Sequence, residues 1–329
     1  FKTSFLSRMS HEIRTPMNGI IGMLTLARNR LDDNDPAMPY LDKADEQSEH
    51  LLSLINDILD MSRIEAGKVV LEKKAFSLHA VGNRLYDMFA GALAEKGIKY
   101  SVNFEEFTID RVIGDELRLS QIIINFLSNA VKFTSSGEVT VTFRQMLLRS
   151  SKADIMIRVH DTGIGMDTKF IGSIFKPFEQ EEAGTTRRFG GTGLGMAISD
   201  QLVKLMGGEI VVESEKGKGS DFSVFLSFPI AITDASDDTD SEQAVNETNS
   251  GNDDLIFIGK RILLAEDNDI NSMIAIEILN EMGASVDVAD NGKNAVDMFA
   301  RSPVRYYDLI LMDVQMPVMD GREAAKLIR

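Results

Sequence analysis

The chain has 329 residues, 43% of them hydrophobic, a formal net charge of −16 and no cysteine. That is too long for one ordinary core, so two or three domains are expected. The acidic balance argues against a nucleic-acid surface, the missing thiols exclude disulfides and thiolate metal sites, and no apolar run reaches the roughly 18 residues of a membrane span.

Leu6, Met9, Ile13, Met17, Ile20 and Leu24 recur at steps of three and four, the seam of an amphipathic helix over 1–30. Phe1 falls inside that pattern and no signal peptide precedes it, which reads as a portion of a longer protein. His11 falls off the seam, where an imidazole is an accessible nucleophile. Glu12 beside it can take the ring proton, Thr15 lies one turn on, and Pro16 should kink the helix. On general grounds an exposed helical histidine is plain surface.

A turn at 32–39 leads to a second helix, Tyr40–Ala66, whose stripe is Leu41, Leu51, Leu54, Ile55, Ile58, Leu59 and Ile64. Two helices cannot bury two apolar faces well alone. Pairing two such hairpins makes a four-helix bundle, so a homodimer is expected.

Residues 71–230 alternate between the two periodicities. Helices are expected at 79–96, Asp115–Phe133 and Gly195–Met206. Strands are expected at Ile98–Phe104, Glu138–Leu148, Asp154–His160, Glu209–Ser214 and Asp221–Phe228. That order suggests a two-layer α/β sandwich. Residues 231–254 are acidic, with no basic residue, and read as a disordered linker, placed at 231–258. From 259 to 329, Arg261–Ala265, Ser285–Ala289 and Leu309–Met312 alternate with helices at 271–282 and 293–301. This is the βαβαβ pattern of a doubly wound parallel sheet.

Four stretches of the middle region carry chemistry. On the helix from Asp115, Arg118, Gln121, Asn125, Asn129 and Lys132 form one stripe. Amide oxygens suit a hard cation and Lys132 can reach a phosphate, although charges alone read as a solvated face. Asp161-Thr162-Gly163-Ile164-Gly165 ends a strand, where an Asp can accept from an adenine amino group; a plain turn is the bland alternative. Gly190-Gly191-Thr192-Gly193-Leu194-Gly195 opens a helix, where backbone amides suit phosphates, yet it lacks the Gly-Lys-Ser/Thr of a P-loop. Gly217-Lys218-Gly219-Ser220 alone reads as a hairpin. In the last region Glu266 and Asp267 end the first strand and Asp313 the third. Three carboxylates at one sheet end repel unless a divalent cation sits between them.

Taken together these strings resemble a known family. SHEIRTPMNGI resembles the H box of sensor histidine kinases. NFLSNAVKFT, the two glycine loops, and Phe175 with Phe178 resemble the N, G1, F and G2 boxes of their catalytic domain. LLAEDN and LILMDVQMPVMDG resemble the receiver domain of response regulators. The resemblance implies a hybrid histidine kinase of three modules. These are a dimerisation and phospho-accepting hairpin at 1–70, an ATP-binding domain at 71–230 and a flavodoxin-like receiver at 259–329. It implies His11 as the phosphorylated residue, Glu12 as assisting base and Thr15 as a residue used in removing phosphate. Asn125, Asn129, Lys132, Asp161, Gly163, Gly165, Gly191, Thr192, Gly193, Leu194 and Gly195 would form the ATP site. Mg²⁺ would bind at Asn125 and Asn129, and again at Glu266, Asp267 and Asp313, with Asp313 the second phospho-acceptor. The loop between about 167 and 189 would be a lid over ATP.

It further implies a downstream phosphotransfer protein or response regulator, an upstream sensor, and the cytoplasmic portion of a membrane-anchored bacterial kinase; the acidic charge adds the expectation of no direct nucleic-acid binding. Receivers of the family have two strands beyond the third, and the chain ends at Arg329 before them; three strands do not close such a core. Gyrase-type ATPases carry a water-activating Glu where this chain has Asn125, so slow hydrolysis is expected. A non-catalytic scaffold and an ATP-hydrolysing clamp remain the alternatives.

Overall fold

The computed structural model describes residues 2–32, 35–149, 151–179, 192–231 and 256–329, with backbone alone for 2–12 and 14. Most of the predicted acidic linker lies outside these residues, as do Gly190, Gly191 and residues 180–189 of the loop expected to cover ATP.

Helix α1 (Lys2–Asn29) and helix α2 (Met38–Glu65) form the N-terminal hairpin. Arg28 at the end of α1 pairs with Asp42 on α2, and Asp35 N–H bonds to Asp32 in the turn between them. Helix α1 runs on through Pro16. Met17, Leu26 and Leu59 are buried, whereas Ile20 of the predicted seam, Met23, Leu51 and Ile58 are exposed. The side of α1 carrying Gly19 and Gly22 is taken instead by Ile270 and Ile274 of the last module. Arg30 and Glu277 form an ion pair beside them.

The middle module contains β1 (Lys74–Ser77), α3 (Leu78–Glu95), β2 (Lys99–Glu105), β3 (Arg111–Gly114) and α4 (Glu116–Phe133). They are followed by β4 (Glu138–Leu148), β5 (Lys152–Asp161), the one-turn α5 (Thr168–Ile171), α6 (Gly195–Leu205), β6 (Glu209–Glu215) and β7 (Gly219–Pro229). Five strands form a sheet in the order β2-β4-β5-β7-β6, antiparallel except for β2 beside β4. Alternation sets its inner face: Val139, Val141 and Phe143 on β4 and Ile155, Ile157 and Val159 on β5 are buried. Leu119, Ile122, Ile123, Phe126 and Leu127 of α4 pack into the same core, with Phe126 stacked on Phe222 of β7. This is the expected α/β sandwich, with side-chain caps at Ser77 for α3 and Asp115 for α4. The short antiparallel β1–β3 ribbon and α5 carry no periodic signal long enough to be read from sequence.

The last module holds β8 (Arg261–Ala265), α7 (Asp269–Glu281), β9 (Ser285–Ala289), α8 (Gly292–Arg301), β10 (Leu309–Met312) and α9 (Gly321–Ile328). Its strands are all parallel, in the order β10-β8-β9, so β8 is central and its residues Ile262–Ala265 are buried. On the β10 edge Leu309 and Leu311 remain exposed.

Candidate functional site: a nucleotide pocket and a carboxylate cluster

The candidate nucleotide site draws its residues from α4, the end of β5, the start of α6 and the β6–β7 hairpin. Asp161 closes β5 at 5% exposure and accepts the Gly163 N–H at 2.8 Å. Burial pushes its carboxyl above the usual carboxylate range, only partly offset by that bond. The loop glycines have steric reasons. A β-carbon on Gly163 would lie 2.5 Å from the Phe133 carbonyl oxygen, and Gly165 (φ +61°) has the Glu215 carbonyl where its side chain would go. Gly219 presses in the same way on the Asp161 carbonyl. The stretch 217–220 does make the hairpin its bland reading predicts, and it also backs the Asp161 loop; only the strand pairing reveals that second role.

Asn125 and Asn129 lie one turn apart on α4 and face α6. The Asn125 amide nitrogen donates to Ser199 Oγ at 2.9 Å, and both amide nitrogens lie 3.6 Å from Met196 Sδ. Lys132 is half-buried, 4.9 Å from the Phe133 ring centroid, and desolvation holds its ammonium below the ordinary lysine value. Gly195, at the start of α6, is so near Asn125 that a β-carbon there would overlap Oδ1. Leu194 is buried and α6 begins without a side-chain cap, a helix start suited to anionic phosphate oxygens. Gly193 (φ +67°) accepts the Phe178 N–H at 3.0 Å. Thr192 Oγ1 accepts the Leu194 N–H at 3.0 Å and donates to Asp57 on α2, also at 3.0 Å. Of the predicted F box, Phe175 packs against the core and Phe178 is exposed.

Two residues of the predicted α4 stripe serve another purpose. Arg118 Nη1 lies 3.4 Å and Gln121 Nε2 3.0 Å from the Asp60 carboxylate of α2, so they dock that helix rather than face the pocket. Neither Asp57 nor Asp60 stands out in sequence, because both occupy polar positions of an ordinary amphipathic helix.

In the last module one carboxylate oxygen each of Glu266, Asp267 and Asp313 lies within 4.8 Å of the others. Asn271 on α7 donates to Glu266 at 2.9 Å, and Asp313 Oδ1 accepts the Val314 N–H at 2.6 Å. Gly321 lets α9 start directly over the Asp313 carbonyl. Three convergent hard oxygens fit a small divalent cation such as Mg²⁺. His11 and Glu12 lie on α1, where only backbone is described, and Thr15 is half-buried on the next turn.

Three family models match in chain order: the His Kinase A (phospho-acceptor) domain over 1–67, the histidine kinase-, DNA gyrase B- and HSP90-like ATPase over 114–230, and the response regulator receiver domain over 262–329. This chain belongs to the hybrid histidine kinases. It is 38% identical over its whole length to the autoinducer 2 sensor kinase/phosphatase LuxQ of Vibrio vulnificus, strain YJ016, covering 37% of that protein. It is 35% identical over its whole length to hybrid signal transduction histidine kinase K of Dictyostelium discoideum, covering 27% of it. Over 95% of its length it is 32% identical to the histidine-protein kinase BarA of Escherichia coli K12, covering 32% of that protein. The chain thus spans about a third of these relatives. Among solved structures it resembles full-length ShkA in complex with AMPPNP, with a TM-score of 0.59 and 25% identity, over 98% of this chain and 89% of that one. No helix among the described residues of this histidine kinase is long and apolar enough to cross a membrane.

Proposed function

We propose that the chain transfers the γ-phosphoryl group of ATP to His11 and that the intact protein relays it to Asp313. The observation that carries the reading is the meeting of two carboxamides, Asn125 and Asn129, with the uncapped start of α6, on a helix whose last residue, Phe133, accepts the Ile164 N–H of the Asp161 loop. Asp161 would accept from the adenine amino group. Gly163 and Gly165 would give the base room. Lys132 and the backbone from Gly191 to Gly195 would take the phosphates. Asn125 and Asn129 would hold Mg²⁺, which screens the phosphate charge when bound.

A His11 ring nitrogen attacks the γ-phosphorus and the bond to the β–γ bridging oxygen breaks. ADP leaves, Glu12 takes the ring proton, and a phosphoramidate remains. An Asp313 oxygen then attacks that phosphorus, the P–N bond breaks, and an acyl phosphate forms beside the cation site of Glu266 and Asp267. Thr15 is assigned to phosphate removal, in keeping with the kinase/phosphatase name of the Vibrio relative. AMPPNP in the ShkA complex supports ATP as the donor.

An amide at position 125 cannot deprotonate water. The chain is therefore a poor ATPase, which separates it from a hydrolysing clamp. Measured side by side with γ-labelled ATP, protein-bound label should appear faster than free phosphate, and Asn125→Ala should abolish the label. Rapid phosphate release with no protein label would favour the clamp, and failure to bind nucleotide would favour a scaffold.

The module boundaries follow at 1–70, 71–230, 231–258 and 259–329. Ile20, Met23, Leu51 and Ile58, exposed on a single hairpin, support a homodimer in which a second hairpin covers them. A membrane-anchored sensor upstream and a separate phosphotransfer protein downstream complete the relay.

A further inference from the structure

Two electron-pair acceptors on α6 meet the two carboxamides of α4. Ser199, only 2% exposed, receives the Asn125 amide N–H, and the Met196 sulfur lies 3.6 Å from the amide nitrogens of both Asn125 and Asn129. A carboxamide has two chemically opposite ends, and a pocket that binds a hard cation needs the oxygen end. Ser199 alone cannot choose between them, because a hydroxyl rotates to donate or accept. A thioether has no proton to give and so matches only the NH₂ end. If either amide turned over, its oxygen would face the sulfur lone pairs. The opposite end of Asn125 is directed as this predicts: its oxygen lies over Gly195, at the start of α6.

We infer that Met196 is a positioning residue that fixes the polarity of the Asn125 and Asn129 amides, with Ser199 anchoring the Asn125 amide so oriented, and that the two thereby create the divalent-cation part of nucleotide binding. This rests on the proposed Mg²⁺ role of the two asparagines and extends it to two residues outside the proposed cation and nucleotide contacts. The bland alternative is packing: methionine fills irregular core gaps, and a buried helical serine satisfies itself locally. The two readings differ in what the cation contributes.

The test titrates a fluorescent ADP analogue into the full chain, once in EDTA and once in excess Mg²⁺, and takes the ratio of the two dissociation constants. Met196→Leu keeps the volume and removes the acceptor; Ser199→Ala removes the hydroxyl; the double variant removes both. Each single variant should lower the Mg²⁺ enhancement by about fivefold, the size expected for one lost hydrogen bond, and the double variant by more. Affinity in EDTA should move by less than about twofold, a signature that loosened packing does not give. An unchanged enhancement in the double variant, or equal weakening with and without Mg²⁺, would overturn the assignment. A wild-type chain with no Mg²⁺ enhancement at all would remove the asparagine site itself, and the assignment with it.

Discussion

Asp161 is where burial and function oppose each other. Its carboxyl is pushed upward by desolvation, so in the nucleotide-free protein the ionised form costs stability. Its folded value exceeds its unfolded one, so stability present below the unfolded value is lost as pH rises through the folded value. Asp161→Asn removes that cost and keeps an oxygen for the Gly163 N–H. Its melting temperature should exceed wild type at pH 7 by about 2–4 °C, equivalent to ~1 kcal/mol in a domain of this size. The gap should close as pH falls through the carboxylate range, and adenine nucleotide binding should weaken at least about tenfold. A gap independent of pH would refute the burial argument. Gly195→Ala should displace the Asn125 amide and weaken Mg²⁺–nucleotide binding by about tenfold or more, while circular dichroism stays unchanged. The candidate site could be proposed from sequence because the amide, glycine and carboxylate strings follow one another in order, although each alone has a plain reading as surface, turn or hairpin. The full reasons for the glycines could not. Sequence reading gives Gly163 and Gly165 to the bound base and Gly193 to the phosphates, whereas all three also make room for the protein's own Phe133, Glu215 and Phe178 backbone.

Among elements, α2 does more than its apolar stripe announces. Met61 and Ile64 pack against the sandwich core, while Asp57 and Asp60 reach Thr192, Arg118 and Gln121. Periodicity located the helix to within two residues at its start, yet it could not say which polar residues would be used. That depends on α4 and α6 arriving from sequence positions far away. Asp60→Ala should cost about 1 kcal/mol or less, because Arg118 and Asp60 are each partly solvated at 22% and 24% exposure. Amide exchange should speed up in the C-terminal half of α2, with α3 unaffected. Likewise Gly22→Leu on α1 should push against Ile274 and accelerate exchange in α7, leaving β8 and β9 protected. Unchanged α7 exchange would show that the close approach at Gly22 contributes nothing. The long strands and helices were readable from periods of two and 3.6. The four-residue β1 and β3 and the single-turn α5 were not, being shorter than either signal needs.

For the whole molecule, module order was set by composition and motif, and three family models reproduce it. A hairpin with Ile20, Leu51 and Ile58 uncovered should not remain a single chain at working concentration. Light scattering should give twice the chain mass, and Ile20→Glu with Ile58→Glu should halve it. A wild-type monomer would contradict the bundle. The central claim is that the γ-phosphoryl group is stored on His11. Its most direct test is transfer from γ-labelled ATP with Mg²⁺, on this chain and on His11→Gln. The account predicts label on the wild type that is lost in acid, kept in alkali and absent from the variant. Equal label on both proteins, or none on either while ATP still binds, would contradict it.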